Sequence, residues 1–238
     1  MTDDDSFRDK SGREFKFTAQ DFKRVQKLIY DHAGISLSEA KQELVYSRLS
    51  RRLRATGIQS FAEYLSLLEN NDEAEWEAFT NSLTTNLTSF FREAHHFPIL
   101  ADKIRKHKRV EPFAFWCSAA STGEEPYSIA MTAVDACRSF TPPVTIIATD
   151  IDSKVLETAK AGVYPEKNVE KLNPDMRKKF FQRGTGKQEE FVRVRQELRD
   201  MITAFQIAFE RGEKLQFDAT TSYRVSIGNG YLPCQDRW

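Results

Sequence analysis

Apolar residues recur at intervals of three and four between about residues 15 and 107, a spacing that predicts a succession of amphipathic helices. Thr18 can cap the first helix, and Gly34 follows its last apolar position. Ser38 can cap a second helix, which Gly57 ends. Further capping and apolar signals continue the series, so the sequence opens with a small helical domain.

The pattern changes at Phe113, where short apolar runs begin to alternate with helical ones. The runs at 113–117, 144–150 and about 201–209 are typical of parallel strands, because alternating strands and helices require a parallel sheet covered by helices. Between Phe180 and Arg195, two strand-like runs surround a Gly-rich turn and predict an inserted β-hairpin. The fold class is therefore α/β, preceded by an all-α domain.

These patterns divide the chain into parts. With 238 residues, of which 40% are hydrophobic, the chain can bury a substantial core. The predicted parts are a disordered tail (1–14), an N-terminal helical domain (15–84), a linker and helix (85–110), an α/β domain (111–219) with the hairpin subdomain at about 178–197, and an atypical tail (220–238).

The charge balance excludes several classes of partner. Thirty-five basic residues match thirty-five acidic ones, so the whole molecule has no field that would draw it to nucleic acid or to a membrane surface.

The first 14 residues are polar and no apolar run approaches about 18 residues, so no signal peptide or membrane span is predicted. Three well-separated cysteines indicate a reducing compartment. We expect a cytoplasmic monomer that does not insert into a membrane.

The junction between the first strand and the next helix carries the strongest chemical signal. The small residues at 118–123 let the backbone approach a ligand closely, and Asp150, leaving the second strand, can accept hydrogen bonds from both ribose hydroxyls. This layout indicates a site for an adenosine-containing cofactor. No G-x-G-x-x-G is present, and Glu124 and Glu125 would repel a diphosphate at the helix N-terminus. A cationic nucleoside without phosphate fits better, and S-adenosylmethionine is the common one.

Three ordered motifs carry a family resemblance: TTNLTSFFREAHHFP at 84–98, SAASTGEEPYS at 118–128 and TDID at 149–152. Over about residues 17–205 the chain closely resembles the CheR family of chemoreceptor glutamate methyltransferases. The resemblance implies an N-terminal helical domain and a class I, Rossmann-like methyltransferase sheet that binds S-adenosylmethionine. It also implies an inserted β-subdomain, which in some members grips a receptor's C-terminal peptide.

The resemblance further implies, position by position, which residues contact the cofactor, whose product is S-adenosylhomocysteine. The implied contacts are Asn86, Thr88, Arg92, Glu125 and Asp150, with Arg92 near the reacting groups as the catalytic residue. Taken alone, Arg92 reads as a helix-surface ion pair and Glu125 as an acid that favours the helix dipole. Asn86 and Thr88 read locally as turn or cap residues, and Asp150 as a strand-end turn residue.

The implied reaction transfers a methyl cation from a sulfonium to a glutamate carboxylate and needs few catalytic groups. A glutamate with a pKa near ~4.3 is already ionised at pH 7, so the nucleophile needs no base. The protein's task is to align the reacting groups and exclude water, and Arg92 can orient a carboxylate by bidentate hydrogen bonds. No metal is predicted, because the adjacent His95 and His96 point in different directions on a helix.

A continuous basic stripe lies on the second helix, formed by Arg48, Arg51 and Arg52 at helical spacing. A solvated helix face is the usual meaning of such a run. Receptor methylation regions are helical and rich in glutamate, so charge complementarity favours docking of a receptor's cytoplasmic helix on this stripe. The hairpin can similarly take a receptor's C-terminal peptide as an added strand, or it can be purely structural.

The end of the chain departs from the family pattern. Members continue after the third strand with further strands, whereas residues 220–238 match no part of that pattern and resemble a truncated or frame-shifted end. Without a fourth strand, the strand at 113–117 becomes a sheet edge with unpaired backbone and uncovered apolar side chains. The sequence thus predicts an incomplete sheet, low stability and weak or absent activity.

The sequence as a whole predicts an S-adenosylmethionine-dependent protein-glutamate O-methyltransferase that acts on membrane chemoreceptors in chemotaxis. Two alternatives stay open. One is a catalytically impaired receptor-binding module, in which an incomplete sheet binds no cofactor. The other is a small-molecule methyltransferase on the same scaffold, against which the helical domain and the basic stripe argue.

Overall fold

A computed structural model describes residues 13–70, 73–107, 112–206 and 223–225. The described residues divide into two compact units, a helical unit that ends at Thr85 and an α/β unit that begins at Asn86. The helical unit contains α1 (Ala19–Ala33), α2 (Gln42–Thr56), α3 (Phe61–Glu69) and α4 (Glu73–Leu83).

The helix ends follow local sequence signals in most places. Thr18 and Asp21 form a reciprocal capping box at the start of α1, and Gly34 ends that helix in the left-handed conformation. Gly57 ends α2 in the same way. The predicted cap at Ser38 is wrong, because a 3₁₀ turn at Glu39–Lys41 precedes α2 and the Ser38 side chain caps neither element.

A buried carboxylate connects three helices of the helical unit. Glu75 on α4 accepts two hydrogen bonds from Arg52 on α2, at 3.0 and 2.7 Å, and a third from the Tyr64 hydroxyl on α3, at 2.6 Å. The carboxylate is therefore paired and hydrogen-bonded, as a buried charge must be. Its environment is that of a structural ion pair in the interior of the unit.

Replacing Glu75 with glutamine is expected to lower the free energy of unfolding by about 2 kcal/mol, because the neutral amide weakens its bonds to Arg52 and Tyr64. Chemical denaturation of the two proteins measures this difference. Glu73→Gln, at an exposed position of the same helix, is the matched control and should change stability by less than about 0.5 kcal/mol. Equal stability of Glu75→Gln and the parent chain would contradict a structural role for the ion pair.

The α/β unit has two sheets. The larger is parallel with strand order β6-β2-β1-β7, and the smaller is antiparallel with order β3-β5-β4. The elements of this unit are α5 (His96–Lys106), β1 (Phe113–Cys117), α6 (Glu124–Cys137), β2 (Val144–Asp150), α7 (Ser153–Ala161), β3 (Val163–Pro165), α8 (Pro174–Phe180), β4 (Phe181–Arg183), β5 (Phe191–Val194), α9 (Gln196–Arg199), β6 (Ile202–Gln206) and β7 (Tyr223–Val225).

The register of the parallel sheet places the loop after β1 beside the end of β2. Cys117, the last residue of β1, pairs with Ala148, so β2 extends beyond β1 by two residues and ends at Asp150. The loop that follows β1, residues 118–123, therefore leaves the sheet beside Asp150. The helices α6 and α7 pack against β2 and β6, and Phe115, Ile146 and other apolar side chains form the core beneath this edge.

The expectation that β1 is an edge strand is wrong. The strand β7 pairs with β1 in parallel, with Ala114 opposite Tyr223 and Trp116 opposite Val225, so β1 lies between β2 and β7. The backbone of β1 thus has strand partners on both sides at Ala114, Phe115 and Trp116, which removes unpaired backbone there as a ground for expecting low stability and weak activity. That expectation itself stays a prediction.

The terminal segments lie mostly outside the described residues. Of the predicted disordered tail, the structure describes Arg13 and Glu14, which bond to Glu43 and Arg54 respectively. Of the predicted atypical tail at 220–238, it describes the three residues of β7. The third predicted strand is present as β6, and its predicted continuation beyond Gln206 is outside the described residues.

The predicted hairpin is present as the antiparallel pair β4 and β5. A third strand, which the sequence pattern did not indicate, completes this sheet: β3 pairs with β5, and Tyr164 lies opposite Val192. Since β3 follows α7 after a single glycine, Gly162, it ties the small sheet closely to the helix that packs on β2.

Candidate active site

Asp150 is the polar centre of the sheet's carboxyl edge. Its Oδ2 accepts a hydrogen bond from the Ser121 amide at 2.8 Å, and its Oδ1 accepts one from the Asp152 amide at 3.0 Å. Burial raises the pKa of Asp150, and hydrogen bonds from the backbone of Asp152, Ser121 and Ile151 act in the opposite direction. A carboxylate has about four acceptor sites, so Asp150 has the chemistry to accept a hydrogen bond from a diol as well.

The loop at 118–123, called the β1–α6 loop below, makes a tight turn against Asp150. The Ala120 amide donates to Thr149 O at 2.9 Å, and the Gly123 amide donates back to Ala120 O at 3.0 Å. Ser121 and Gly123 have φ of +50° and +100°. A Cβ on Gly123 would lie 2.8 Å from the Tyr164 hydroxyl and 2.9 Å from the Ala159 Cβ, so glycine is required here.

Two carboxyl groups begin α6. Glu124 is buried, its Oε2 accepts a bond from the Thr122 hydroxyl at 2.6 Å, and burial raises the pKa of its carboxyl. Glu125 is half-buried, and its Oε1 lies 3.8 Å from the Cys117 sulfur at the end of β1. Acids at a helix N-terminus favour the dipole but oppose a phosphate, so this edge suits a neutral or cationic ligand.

The segment at 86–92 lies beside the same edge. Asn86 donates a hydrogen bond from Nδ2 to Asp152 Oδ2 at 2.8 Å, and its backbone carbonyl accepts one from the Ser121 hydroxyl at 3.4 Å. The Phe91 amide donates to the Ser128 hydroxyl on α6 at 2.9 Å. The structure therefore brings Asn86 next to the neighbours of Asp150.

The two other predicted residues of this segment differ in exposure. Thr88 is half-buried, and Arg92 is exposed and donates from Nη1 to Leu87 O at 2.8 Å. This bond directs the guanidinium toward the backbone of its own segment. The cofactor contacts implied for Asn86, Thr88, Arg92, Glu125 and Asp150 stay predictions.

The basic stripe belongs to the helical unit and its arginines have different environments. Arg48 donates from Nη1 to the carbonyls of Leu83 and Thr84 at 3.0 and 2.6 Å, where α4 ends, and Arg52 pairs with Glu75. Arg51 is exposed and has no hydrogen-bond or ion-pair partner within the part of the chain that the structure describes. Of the three, Arg51 is therefore the arginine whose charge faces solvent.

Comparisons with known proteins identify the family. The model described as CheR methyltransferase, SAM binding domain matches residues 86–219, and the one described as CheR methyltransferase, all-alpha domain matches residues 20–84. The chain belongs to the CheR methyltransferase family. Its α/β unit is thus of the S-adenosylmethionine-binding type, and the resemblance of the sequence motifs and the predicted fold class are both confirmed.

Several relatives are similar over most of the chain. Chemotaxis protein methyltransferase 2 of Pseudomonas aeruginosa is 52% identical over 196 residues, which are 82% of this chain and 70% of that protein. The chemotaxis protein methyltransferase of Escherichia coli is 46% identical over 220 residues, 86% of this chain and 76% of that protein. That of Salmonella typhimurium is 47% identical over 216 residues, 84% and 74% respectively.

The described residues contain neither a candidate membrane span nor a candidate metal site. None of the helices there is both long enough and apolar enough to cross a membrane. No group of three or more His, Cys, Asp or Glu side chains in that part could hold a metal ion, although the rings of His95 and His96 lie 3.9 Å apart.

The sequence pattern did not predict the contacts of three residues that shape this edge. Ser121 supplies an amide to Asp150, Glu124 binds the Thr122 hydroxyl, and Tyr164 donates to Thr122 O at 2.7 Å. The run of small residues at 118–123 pointed to the loop but not to its contacts. Tyr164 had no signal of its own, because its role depends on where β3 lies in the fold.

Proposed function

We propose that this chain methylates glutamate side-chain carboxylates on membrane chemoreceptors, using S-adenosylmethionine and producing glutamyl methyl esters in chemotaxis adaptation. The family and the names of the relatives support methylation in chemotaxis. The observation that carries the donor assignment is Asp150, whose carboxylate is held at the sheet edge by the Ser121 and Asp152 amides and has the acceptor chemistry for a ribose diol.

The residues at the sheet edge fit this donor. Asp150 would hold the ribose hydroxyls. Glu125 lies at the start of α6, where its carboxylate would attract the positive charge of the sulfonium. Asn86 and Thr88 would close the site from the 86–92 segment. When bound, S-adenosylmethionine supplies an electrophilic methyl group on a sulfonium. The close backbone packing at Gly123 would keep water from the loop side of the site.

Arg92 has the chemistry to orient a carboxylate. Its guanidinium is exposed on the 86–92 segment, with part of its donor fork directed to Leu87 O. A guanidinium can bind both oxygens of a carboxylate, whether of an incoming glutamate or of S-adenosylmethionine itself. The glutamate is ionised near neutral pH, so this residue aligns the nucleophile and no side chain needs to remove a proton.

The helical unit would dock the receptor helix through α2. Arg48 and Arg52 hold α4 in place, so the part of the stripe that meets an acidic helix is centred on Arg51. The antiparallel sheet would take a receptor C-terminal peptide as an added strand at an edge, since β3 and β4 are its outer strands. The residues of α2 and of the antiparallel sheet are different from those proposed to bind the methyl donor.

Reversing the charge at Arg51 with glutamate is expected to slow receptor methylation about tenfold at low salt, with a smaller effect at high salt. Initial rates of methyl transfer at two salt concentrations measure this. Lys27→Glu, an exposed charge reversal on α1, is the matched control and should leave the rate unchanged. S-adenosylhomocysteine affinity should stay the same in both variants. Equal effects of the two reversals would argue against docking on α2.

A methyl-transfer assay tests the proposed function. The chain is incubated with S-adenosylmethionine labelled in its methyl group and with membranes that contain a chemoreceptor, and label is followed into the receptor and into methanol released by mild base. We expect base-labile label that disappears when the receptor's methylated glutamates are replaced by alanine. Receptor binding without transfer would indicate a receptor-binding module instead, and label only in small molecules would indicate a small-molecule methyltransferase.

A further inference from the structure

Tyr164 connects the antiparallel sheet to both segments of the candidate active site. Its hydroxyl donates to Thr122 O at 2.7 Å, in the β1–α6 loop. Its ring packs edge-on against Phe90, with ring centroids 5.0 Å apart, in the 86–92 segment. Tyr164 is 1% exposed, so both contacts lie in the interior of the α/β unit.

The Thr122 carbonyl is the middle point of a strained turn. Ser121 before it and Gly123 after it both have positive φ, and for serine this conformation persists only where surrounding contacts hold it. The hydroxyl of Tyr164 lies so close to Gly123 that a Cβ there would be 2.8 Å away. The tyrosine therefore both anchors the turn and occupies the space beside it.

We propose that Tyr164 is a positioning residue for the methyl donor, which it serves by fixing the β1–α6 loop against Asp150. The link to Asp150 is the Ser121 amide, which donates to the carboxylate at 2.8 Å from the same turn. Loss of the tyrosine hydroxyl leaves Thr122 O without this donor, and the turn that holds Asp150 loosens. This proposal rests on the proposed use of S-adenosylmethionine by this site.

Two further observations support a fixed role for the Tyr164 phenol as a hydrogen-bond donor. A phenol is already protonated at neutral pH and burial raises the pKa of Tyr164 further, so its hydroxyl can keep donating to Thr122 O. The register of β3 places Tyr164 opposite Val192 of β5, and the ring of Phe181 on β4 also packs edge-on against Phe90 at 5.3 Å. The small sheet therefore braces the donor site, in addition to any peptide that its edges bind.

The chain contains a matched control for this tyrosine. Tyr127 on α6 is also buried, and its hydroxyl donates to a backbone carbonyl, Ala159 O, at 2.6 Å. That carbonyl belongs to α7 and not to the β1–α6 loop. Phenylalanine at either position removes one buried hydrogen bond of the same kind and keeps the ring.

Calorimetric titration with S-adenosylhomocysteine of Tyr164→Phe, Tyr127→Phe and the parent chain tests the proposal. We expect both variants to lower the melting temperature by a similar amount, about 2–4 °C. Tyr164→Phe should weaken S-adenosylhomocysteine binding about tenfold, whereas Tyr127→Phe should change it less than about twofold. In the methyl-transfer assay, Tyr164→Phe should raise KM for S-adenosylmethionine and leave KM for the receptor unchanged.

The outcomes separate this proposal from the proposed function. If Tyr164→Phe binds S-adenosylhomocysteine as tightly as the parent chain, or if both variants lose affinity equally, Tyr164 has only a structural role and the proposal fails. If the parent chain itself does not bind S-adenosylhomocysteine, the donor assignment of the site fails as well. A lower yield of folded protein would reduce the number of sites in the titration without changing the affinity.

Discussion

Asp150→Asn should weaken S-adenosylhomocysteine binding about a hundredfold, or about 2.7 kcal/mol. The asparagine amide keeps one acceptor oxygen, and its NH₂ group would face the amide of Ser121 or Asp152, which also donates. The variant therefore loses a hydrogen-bond acceptor for the ribose and turns one existing contact from attraction to repulsion. Calorimetric titration measures the change.

The control for this experiment is Asp135→Asn, which removes a carboxylate on α6 that pairs with Lys179 at 2.7 Å on the surface. It should bind S-adenosylhomocysteine with the affinity of the parent chain, because exposed ion pairs contribute little. Circular dichroism on both variants establishes that they are folded. If folded Asp150→Asn binds S-adenosylhomocysteine as tightly as the parent chain, Asp150 does not bind the ribose.

Arg92→Ala is expected to reduce the rate of methyl transfer about a hundredfold at saturating donor and receptor, because the incoming carboxylate is no longer aligned by a guanidinium fork. The melting temperature should change by less than about 3 °C, since Arg92 is exposed. Arg92→Lys should recover little of the rate, because an ammonium group cannot form the same bidentate pair.

Arg105→Ala is the matched control for Arg92. Arg105 is also an exposed arginine, on α5 of the same unit, and its guanidinium lies 3.9 Å from the Asp102 carboxylate. We expect full activity from this variant, since a loose surface ion pair has no bearing on the reaction. If Arg92→Ala and Arg105→Ala have the same activity, Arg92 plays no part in the transfer.

Features encoded by neighbouring residues could be predicted from the sequence. The capping residue Thr18 and the terminating glycines Gly34 and Gly57 act on the helix ends next to them, so their identity was sufficient. The strand that ends at Asp150 and the small-residue loop before Glu124 were visible for the same reason. Each of these depends on a short segment of chain.

Features that depend on distant contacts could not be predicted. The spacing of Arg48 and Arg52 indicated a shared helix face, but it could not show that the end of α4 and Glu75 lie against that face. Likewise, the pairing of β7 with β1 joins segments far apart in sequence, and three residues are too short for a clear strand pattern. The tertiary fold decided both.

Tyr164 illustrates the same limit within the site. The stretch Val163–Pro165 follows a helix and a glycine and contains a proline, which gave no reason to expect a strand. Tyr164 reaches the site only because β3 joins the antiparallel sheet and places the phenol next to Thr122 O. A residue that positions a ligand through another residue's backbone has no local motif.

The most direct test of this account is a crystal structure of the chain with S-adenosylhomocysteine bound. We predict that both ribose hydroxyls lie within about 3.2 Å of the Asp150 carboxylate, and that the Ser121 and Asp152 amides keep their bonds to it. Density for the ligand elsewhere in the unit, with the Asp150 carboxylate not contacting it, would contradict the assignment of this sheet edge as the methyl-donor site.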